Sequence, residues 1–214
     1  MLVIQNLIPL TLKERIEKTD SSVWNKHEQF NESEWIKITA PSGTGKTTLI
    51  HILYGLRNDY TGHVIWNDQD IRDFNSDELA KFRQQNTSVI FQDLKLFPEL
   101  TARENIELKR VLQSPFCNKE YIDEMASRLG IINIMDQPAK ICSYGEQQRI
   151  AIIRALVQPF KWLLMDEPFS HLDLVNQKNA AALIADECIK RKAGLIITDL
   201  DEDHLFNYTR KLHL

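Results

Sequence analysis

The sequence predicts an α/β fold in which a mostly parallel sheet is covered by helices on both faces. Short apolar runs alternate along the chain with longer stretches whose apolar residues recur at helical spacing. Because a parallel sheet is buried on both faces, its strands are continuous apolar runs, as several of these are. The runs that end at Thr39 and Asp166 lead directly into polar residues, which is typical of strands that carry a ligand at the carboxyl edge of a sheet. With 214 residues, the whole chain (1–214) is expected to form one such domain.

The first half of the chain is predicted to alternate between strands and helices. Residues 34–39 lead into a glycine-rich loop, so this strand is expected to end at a ligand. Leu and Ile residues at helical spacing predict a helix directly after that loop. Ser76 is expected to cap a further helix, with acidic residues in its first turn. The predicted strands span residues 2–7, 34–39, 63–66 and 88–91, and the predicted helices span residues 47–56 and the stretch that begins at Ser76.

Residues 93–141 are predicted to be helical and to contain no strand. The run Thr-Ala-Arg-Glu at residues 101–104 is a capping box that begins one helix, and Asn118 or Lys119 begins another. This stretch interrupts the alternation of strands and helices on either side of it. We therefore expect a helical insertion in the α/β core.

The last third of the chain returns to alternating strands and helices. Ser143 is expected to cap a helix that continues to about Val157 and stops before Pro159. Apolar runs then predict two buried strands with a helix between them, and the final residues are a candidate edge strand. The predicted strands span residues 161–166, 194–198 and 210–214, and the predicted helix spans residues 175–192.

Composition excludes several classes of function. The formal charge of −4 argues against nucleic-acid binding, which needs a basic face, and against direct electrostatic attachment to an anionic membrane. No apolar run is long enough to span a bilayer and no signal-peptide pattern is present, so a membrane role is expected to come through a partner. Cys117, Cys142 and Cys188 lack metal-ligand spacing and are expected to be reduced thiols of a cytosolic protein.

Residues 40–48 read Ala-Pro-Ser-Gly-Thr-Gly-Lys-Thr-Thr, the pattern of a phosphate-binding loop between a strand and a helix. The two glycines let successive backbone N–H groups point at a polyphosphate, and the helix start adds its positive end. Lys46 can reach the β- and γ-phosphates, and the Thr47 hydroxyl can bind Mg²⁺. Ala40 stands where this pattern usually has glycine, and a surface turn rich in small residues is the alternative interpretation. The pattern predicts binding of ATP or GTP, with contacts from Pro41, Ser42, Gly43, Thr44, Gly45, Lys46, Thr47 and Thr48.

Two acidic residues follow a buried strand later in the chain. Asp166 and Glu167 are expected at the carboxyl edge of the sheet, where ligands of open α/β sheets bind. Asp166 is suited to hold Mg²⁺ through water, and Glu167 is suited to polarise an attacking water molecule. Exposed acidic residues after a strand are common, so the functional interpretation of this pair depends on the phosphate loop.

A second anion site is predicted within residues 142–149. Ser143 and Gly145 lie at the start of a helix, where backbone N–H groups and the helix dipole favour an anion. The alternative is an ordinary Ser-capped helix with solvated Gln and Arg side chains. Both interpretations stay open for this segment taken alone.

Five motifs, in this order, resemble those of the nucleotide-binding domain of ATP-binding cassette (ABC) transporters. They are Ala-Pro-Ser-Gly-Thr-Gly-Lys-Thr in the loop, Phe-Gln-Asp at residues 91–93, Cys-Ser-Tyr-Gly-Glu-Gln-Gln-Arg at residues 142–149, Leu-Leu-Met-Asp-Glu-Pro at residues 163–168 and Ser-His-Leu-Asp at residues 170–173. The resemblance covers essentially the whole chain. It implies a P-loop NTPase fold with a RecA-like, mostly parallel core, an antiparallel β subdomain near the N-terminus and a helical subdomain at approximately residues 93–141.

The resemblance also implies that two copies of the chain pair head to tail around two ATP molecules. ATP held by Lys46 and Thr47 of one copy would be capped by Ser143 and Gly145 of the other copy. Asp173 would link the two sites across the homodimer. ATP binding would close the pair and hydrolysis would reopen it.

Within each site, the resemblance implies that Mg²⁺ is held by Thr47, Gln92 and Asp166. Glu167 would be the base toward the hydrolytic water, and Lys46 and Gln92 would complete the catalytic set. Gln92 would sense the γ-phosphate and relay the change to an integral membrane permease. The implied protein is a cytoplasmic ATPase subunit held at the inner face of the membrane by that permease, similar to the group that serves lipoprotein release, macrolide export and cell division.

The chain departs from the family pattern in three places. Asp199 stands where the family has a His that contacts the γ-phosphate, and a carboxylate would repel that phosphate unless it is protonated or turned away. His204, expected on the following helix, is interpreted as a solvated residue. Residues 1–23 contain no aromatic residue to stack on adenine, and Trp24 is interpreted as a core or strand residue. Tyr144 replaces the first of two glycines in the helix-capping motif.

These departures leave a second function open, a nucleotide-gated clamp that dimerises on ATP but hydrolyses it slowly or not at all. The enzyme is favoured, because Mg²⁺ and Lys46 can supply most of the charge stabilisation without the His. A soluble ABC protein of DNA repair or translation is disfavoured, since the chain has one cassette and no long coiled coil.

Overall fold

The computed structural model describes residues 1–16, 18, 20–111 and 116–214. They form strands on two sheets together with helices, which confirms the predicted α/β class. The strands are β1 (Leu2–Pro9), β2 (His27–Phe30), β3 (Trp35–Thr39), β4 (Tyr60–Trp66), β5 (Gln69–Asp70), β6 (Thr87–Ile90), β7 (Trp162–Asp166), β8 (Gly194–Asp199) and β9 (Arg210–His213). The α-helices are α1 (Lys13–Ile16), α2 (Lys46–Leu53), α3 (Ser76–Gln85), α4 (Ala102–Val111), α5 (Lys119–Arg128), α6 (Tyr144–Leu156) and α7 (Leu174–Arg191).

The larger sheet is parallel throughout, with the strand order β6-β7-β8-β3-β9. β7 is buried along its whole length and β8 along all but its last residue, as their continuous apolar sequences require. In the register of the three central strands, Thr39 pairs with Asp199 and Asp166 pairs with Thr198. The carboxyl ends of these strands therefore meet at one edge, where the loop after β3 and Glu167 also lie.

Apolar side chains cover both faces of this sheet. Residues of α2 and of the second sheet pack on one face, and residues of α4, α5, α6 and α7 pack on the other. Trp66 of β4 meets Trp162 of β7 edge to face, with ring centroids 5.7 Å apart. Gly194 makes room for Trp162, since a Cβ at residue 194 would lie 2.6 Å from its ring. The doubly covered sheet predicted from the apolar runs is confirmed.

The second sheet is antiparallel, with the order β2-β1-β4-β5, and confirms the antiparallel unit near the N-terminus. Leu2 of β1 pairs with Phe30 on one side and with Trp66 on the other. β2 is a strand that the sequence patterns do not predict. Its four residues are mostly polar and only Phe30 is buried, so neither an apolar run nor a clear alternation marks this edge strand.

Most helix starts lie where the sequence placed them. The capping box of Thr101 is formed, and so is the cap at Ser143. The cap of α3 is a correction, because it is Asn75 and not Ser76. The Asn75 side chain accepts a 2.9 Å hydrogen bond from the N–H of Glu78, and the Glu78 carboxylate accepts one of the same length from the N–H of Asn75.

Between β6 and Ser143, the described residues form α4, α5 and short 3₁₀ turns, and their only β pairing is an isolated bridge between Thr101 and Pro138. Residues 112–115 of the predicted helical stretch 93–141 lie outside the described part of the chain. The division of the chain into one domain with a helical subdomain stays a prediction. Across the described ranges, every helix is too short or too polar to cross a bilayer.

Candidate nucleotide site

The glycine-rich loop connects β3 to α2 and has a backbone that only glycine adopts without strain at two positions. Gly43 and Gly45 have φ values of +77° and +108°. A Cβ on Gly45 would lie 2.6 Å from Leu12 and 3.0 Å from Trp24, so the loop packs directly on these side chains. Trp24 Nε1 also donates a 3.3 Å hydrogen bond to the carbonyl of Thr44. Residues far upstream therefore fix the shape of the loop.

Lys46 is the first residue of α2, and its side chain is buried. Its Nζ donates to the carbonyl oxygens of Ala40 at 2.9 Å and Pro41 at 3.2 Å. The same nitrogen lies 3.3 Å from Oε1 of Glu167. The ammonium is therefore held inside the curl of the loop and faces the end of β7.

Glu167 belongs to a chain of polar contacts across the strand ends. It has φ +46°, a left-handed conformation that is unusual for a residue other than glycine. Gln92 Nε2 donates to Glu167 Oε2 at 3.2 Å, and the Thr47 hydroxyl donates to Gln92 Oε1 at 3.5 Å. Thr47, Gln92, Glu167 and Lys46 thus form one continuous row of contacts, although Gln92 and Glu167 lie far from the loop in the sequence.

Asp166 ends β7 and is only 1% exposed. Its Oδ1 accepts a 2.8 Å hydrogen bond from the Thr198 hydroxyl, and its Oδ2 is buried without a partner. An unpaired buried carboxylate oxygen is costly and indicates a ligand such as a cation. Asp166, the Thr47 hydroxyl and Gln92 Oε1 are hard oxygen donors that fit Mg²⁺, which is usually held by one or two carboxylates together with substrate phosphates.

The loop and the strand ends border an open cleft of about 200 Å³. Asp166, Pro41 and Thr44 are not among the residues that line it, and the Thr44 hydroxyl donates a 2.7 Å hydrogen bond to the carbonyl of Pro41. The cleft brings together most of the predicted contact residues, and its lining consists of Leu12, Ser42, Gly43, Gly45, Lys46, Thr47, Thr48, Gln92 and Glu167.

Ser143 and Gly145 are not among the residues that line this cleft. Ser143 caps α6 and forms a capping box with Glu146, whose carboxylate accepts from the Ser143 N–H at 2.7 Å. A Cβ on Gly145 would lie 3.1 Å from the carbonyl of His171, so this glycine allows a close approach of two segments. The Tyr144 ring packs on that of His171 with centroids 4.0 Å apart.

Asp173 also lies outside the lining of the cleft and caps α7. Its carboxylate accepts a 2.9 Å hydrogen bond from the N–H of Asn176. This backbone bond, followed by the bond from the Asn176 amide, holds the pKa of Asp173 below its ordinary value. The next two residues, Leu174 and Val175, are apolar and 73% and 69% exposed. An exposed apolar pair beside a fixed carboxylate is typical of an interaction surface.

The carboxylate of Asp199 is turned away from the cleft. Its Oδ2 accepts a 3.0 Å hydrogen bond from Lys37 Nζ, and Asp199 is absent from the residues that line the cleft. His204 is exposed, as expected, but lies in an irregular segment and not on a helix, which corrects the sequence-based expectation. The segment is too rich in acidic residues and too short to bury an apolar helix face.

Trp24 is a core residue, 3% exposed, as the sequence indicated. Sequence reasoning missed four residues that shape the site: Leu12, Arg15, Lys37 and Thr198. Arg15 donates a 2.7 Å hydrogen bond to the carbonyl of Gly43. No local pattern marks Leu12, Arg15 or Lys37, because each acts on a segment far away in the sequence. Only Thr198, a polar residue at the end of a buried strand, carried a signal that could have identified it.

Comparison with known proteins gives concordant matches. The family model described as ABC transporter matches residues 25–170. The lipoprotein-releasing system ATP-binding protein LolD of Idiomarina loihiensis is 35% identical over 143 residues, which cover 65% of this chain and 62% of that protein, less than two thirds of its length. The ABC transporter ATP-binding protein YtrE of Bacillus subtilis is 34% identical, and the aligned residues cover 77% of this chain and 73% of YtrE.

Solved structures agree with these sequence matches. The dimeric post-hydrolysis structure of the ATP-binding cassette MJ0796, bound to ADP and Pi, superposes with a TM-score of 0.76 at 25% identity. The superposition covers 94% of this chain and 88% of that one. The family match spans more than half of the sequence and includes the phosphate loop and the two acidic residues Asp166 and Glu167 at the end of β7. This chain belongs to the ABC transporter family.

Proposed function

We propose that this chain is the ATP-binding and ATP-hydrolysing subunit of an ABC transporter. Two copies close around two molecules of Mg²⁺-ATP, and the cycle of closing and opening drives an integral membrane permease. The observation that carries the proposal is the set of contacts among Thr47, Gln92, Glu167 and Lys46 in one cleft. These groups match the needs of phosphoryl transfer: a phosphate-binding cation, oxygen donors for a metal and a carboxylate base.

Each group has a role that follows from its position. Lys46 and the N–H groups of the loop bind the β- and γ-phosphates. Thr47, Gln92 and Asp166 hold Mg²⁺, which neutralises charge on the phosphate oxygens. Glu167 accepts a proton from water as the water oxygen bonds to the γ-phosphorus, and the bond from that phosphorus to the β–γ bridging oxygen breaks to release ADP.

A second copy of the chain would complete each site. Ser143, Gly145 and Asp173 are not among the residues that line the cleft of their own chain, which agrees with a role at the nucleotide of a neighbouring copy. The exposed Leu174 and Val175 beside Asp173 supply apolar surface for such a contact. The MJ0796 cassette, which this chain resembles in fold and sequence, was solved as a dimer.

The permease would be a separate chain, and this subunit would lie in the cytoplasm against the inner face of the membrane. The relatives named as lipoprotein-releasing ATP-binding proteins support a place in the group that serves lipoprotein release, macrolide export and cell division. Nucleic acid is not proposed as a partner, since the formal charge is −4.

The competing function is a clamp that dimerises on ATP without turning it over. Two features of the sequence favour it: Asp199 stands in place of His, and residues 1–23 lack an aromatic residue that could stack on adenine. The contact between Asp199 and Lys37 weakens the first of these arguments, because it turns the carboxylate away from the cleft. A steady-state assay of phosphate release with the permease present discriminates the two functions.

In that assay, we expect turnover that is lost in Glu167→Gln and kept in Glu124→Gln. Glu124 is an exposed residue of α5 and is the matched control for the same substitution. Turnover that survives in Glu167→Gln would contradict the assignment of the base. ATP-dependent dimers with no phosphate release above background would establish the clamp.

A further inference from the structure

A lysine is buried completely beside the phosphate loop. Lys37 lies in the middle of β3 and is 0% exposed. Its Nζ donates to Asp199 Oδ2 at 3.0 Å and also to Asp203. An ammonium group leaves water at a large cost, which only such paired and hydrogen-bonded carboxylates offset. The ion pairs are therefore what permits a lysine in this central strand.

The second carboxylate is itself fixed by further donors. Asp203 Oδ1 accepts hydrogen bonds from the Tyr208 hydroxyl and from the N–H of Leu205, at 2.7 Å and 2.8 Å. Burial acts to raise the pKa of Asp203, but the hydrogen bonds from Lys37 and Tyr208 lower it below its ordinary value. Asp203 thus stays ionised and anchors Lys37. We call Lys37, Asp199, Asp203 and Tyr208 the Lys37 cluster.

The cluster adjoins the candidate site through the backbone of Asp199. The carbonyl of Asp199 accepts a 3.0 Å hydrogen bond from the N–H of Ala40, the first residue of the phosphate loop. The preceding carbonyl, of Thr198, accepts a 2.9 Å hydrogen bond from the N–H of Glu167. Asp199 therefore lies between the phosphate loop and the candidate base, at the end of β8. Without its ion pair to Lys37, the Asp199 carboxylate would add an uncompensated negative charge at the strand ends that border the cleft.

A free carboxylate at these strand ends would oppose the binding of a triphosphate in the cleft. Like charges a few ångströms apart repel strongly in a partly buried site. The terminal phosphate would experience this repulsion most, since it lies closest to Glu167 and the strand ends in the proposed arrangement. A nucleoside diphosphate would experience less of it.

We propose that the Lys37 cluster is a positioning device that holds the Asp199 carboxylate away from the terminal phosphate and so preserves the preference for a triphosphate. The inference rests on the proposed function. Lys37 touches neither the nucleotide nor the metal in this account and acts through Asp199. Asp203 and Tyr208 keep Lys37 in place.

The test measures the affinities for Mg²⁺-ATP and Mg²⁺-ADP by titration calorimetry in four proteins. These are the unchanged chain, Lys37→Met, Asp199→Asn and the double variant, and Met is chosen because it fits a buried strand without charge. We expect Lys37→Met to weaken ATP binding about tenfold more than ADP binding, since it frees a carboxylate toward the third phosphate. The double variant is expected to regain the original ratio of ATP to ADP affinity. A general loss of packing would lower both affinities alike and would not be rescued.

Lys211→Met is the matched control, because it makes the same substitution at an exposed lysine of β9 that pairs with Glu202 outside the cluster, and it should leave the ratio unchanged. Asp199→Asn alone should change ATP affinity less than about twofold. A large gain in ATP affinity in Asp199→Asn would overturn the proposal. This measurement does not depend on Lys37→Met, so it tests the proposal even if Lys37→Met fails to fold. Equal losses for ATP and ADP in Lys37→Met would overturn it as well. Failure of the unchanged chain to bind ATP would instead contradict the proposed function.

Discussion

The Nζ atom of Lys46 lies 3.3 Å from Oε1 of Glu167. The cation expected to bind phosphate and the carboxylate expected to activate water are thus paired with each other, and both side chains are largely buried. A nucleotide phosphate that reaches Lys46 must compete with this carboxylate for the same ammonium group. The Lys46–Glu167 pair therefore links nucleotide binding to the release of the base.

Glu167→Gln is expected to raise the affinity for Mg²⁺-ATP, by about three- to tenfold. The neutral amide holds Lys46 less tightly, and hydrogen bonds to charged groups are stronger than those between neutral groups. Titration calorimetry measures the change. Glu124→Gln should leave the affinity unaltered, and weaker ATP binding in Glu167→Gln would show that the pair does not compete with phosphate.

Lys46→Ala is expected to weaken nucleotide binding at least about a hundredfold, since it removes the buried cation that faces the phosphates. The readout is the rise in melting temperature caused by saturating ATP, which should disappear in this variant. Lys161→Ala is the control, because Lys161 is exposed and precedes β7 at the opposite edge of the sheet. An undiminished ATP-dependent rise in Lys46→Ala would refute the loop as the binding site.

Gly45→Ala is expected to destabilise the fold and to weaken ATP binding. Its φ of +108° strains a residue with a Cβ by about 1–2 kcal/mol, and the Cβ would also collide with Leu12. Gly130→Ala separates the two effects, since Gly130 has φ +67° but open space around it. Urea unfolding should show a lower free energy of unfolding in both variants, and the decrease should be larger in Gly45→Ala. Equal decreases in the two variants would mean that the Leu12 side chain moves aside at no energetic cost.

Removal of Mg²⁺ with a chelator is expected to weaken ATP binding and to stop phosphate release. Asp166→Asn should raise the Mg²⁺ concentration needed for half-maximal turnover by about tenfold, because the buried Oδ2 loses its charge. Asp186→Asn, at an exposed carboxylate of α7, is the matched control. An identical Mg²⁺ dependence in Asp166→Asn and the unchanged chain would exclude Asp166 as a metal-binding residue.

Acid is expected to remove the stabilisation that Asp203 provides. Its pKa in the folded chain lies below the ordinary value, so its contribution is present at neutral pH and is lost as the pH falls below about 4. Urea unfolding of the unchanged chain and Asp203→Asn should therefore differ most near pH 7 and converge toward pH 3. A difference that is constant over this range would contradict the ionised state of Asp203.

Local patterns predicted the phosphate loop, the acidic residues at the end of β7 and the cap at Ser143, because each depends on neighbouring residues. The buried strands were also predictable, since continuous apolar runs leave few alternatives. β2 was missed because it is a polar edge strand, and the cap of α3 was placed one residue late. Both errors arise where the sequence offers several polar residues of similar propensity.

The long-range part of the site could not be predicted. The pairing of Lys37 with Asp199 joins residues that are 162 positions apart, and it depends on the register of β3 beside β8. The packing of Leu12 and Trp24 under Gly45 likewise depends on how the first strand meets the parallel sheet. From the sequence, Asp199 is a reason to doubt hydrolysis, and its contact with Lys37, which turns the carboxylate away from the cleft, weakens that reason.

The most direct test of the central claim is the oligomeric state of Glu167→Gln with and without Mg²⁺-ATP, measured by light scattering after size exclusion. We expect one chain without nucleotide and two chains with it, since each copy would supply Ser143 and Gly145 to the other's nucleotide. Lys46→Ala should remain a single chain under both conditions. A nucleotide-saturated Glu167→Gln protein that remains a lone subunit, even beside its permease, would contradict the account.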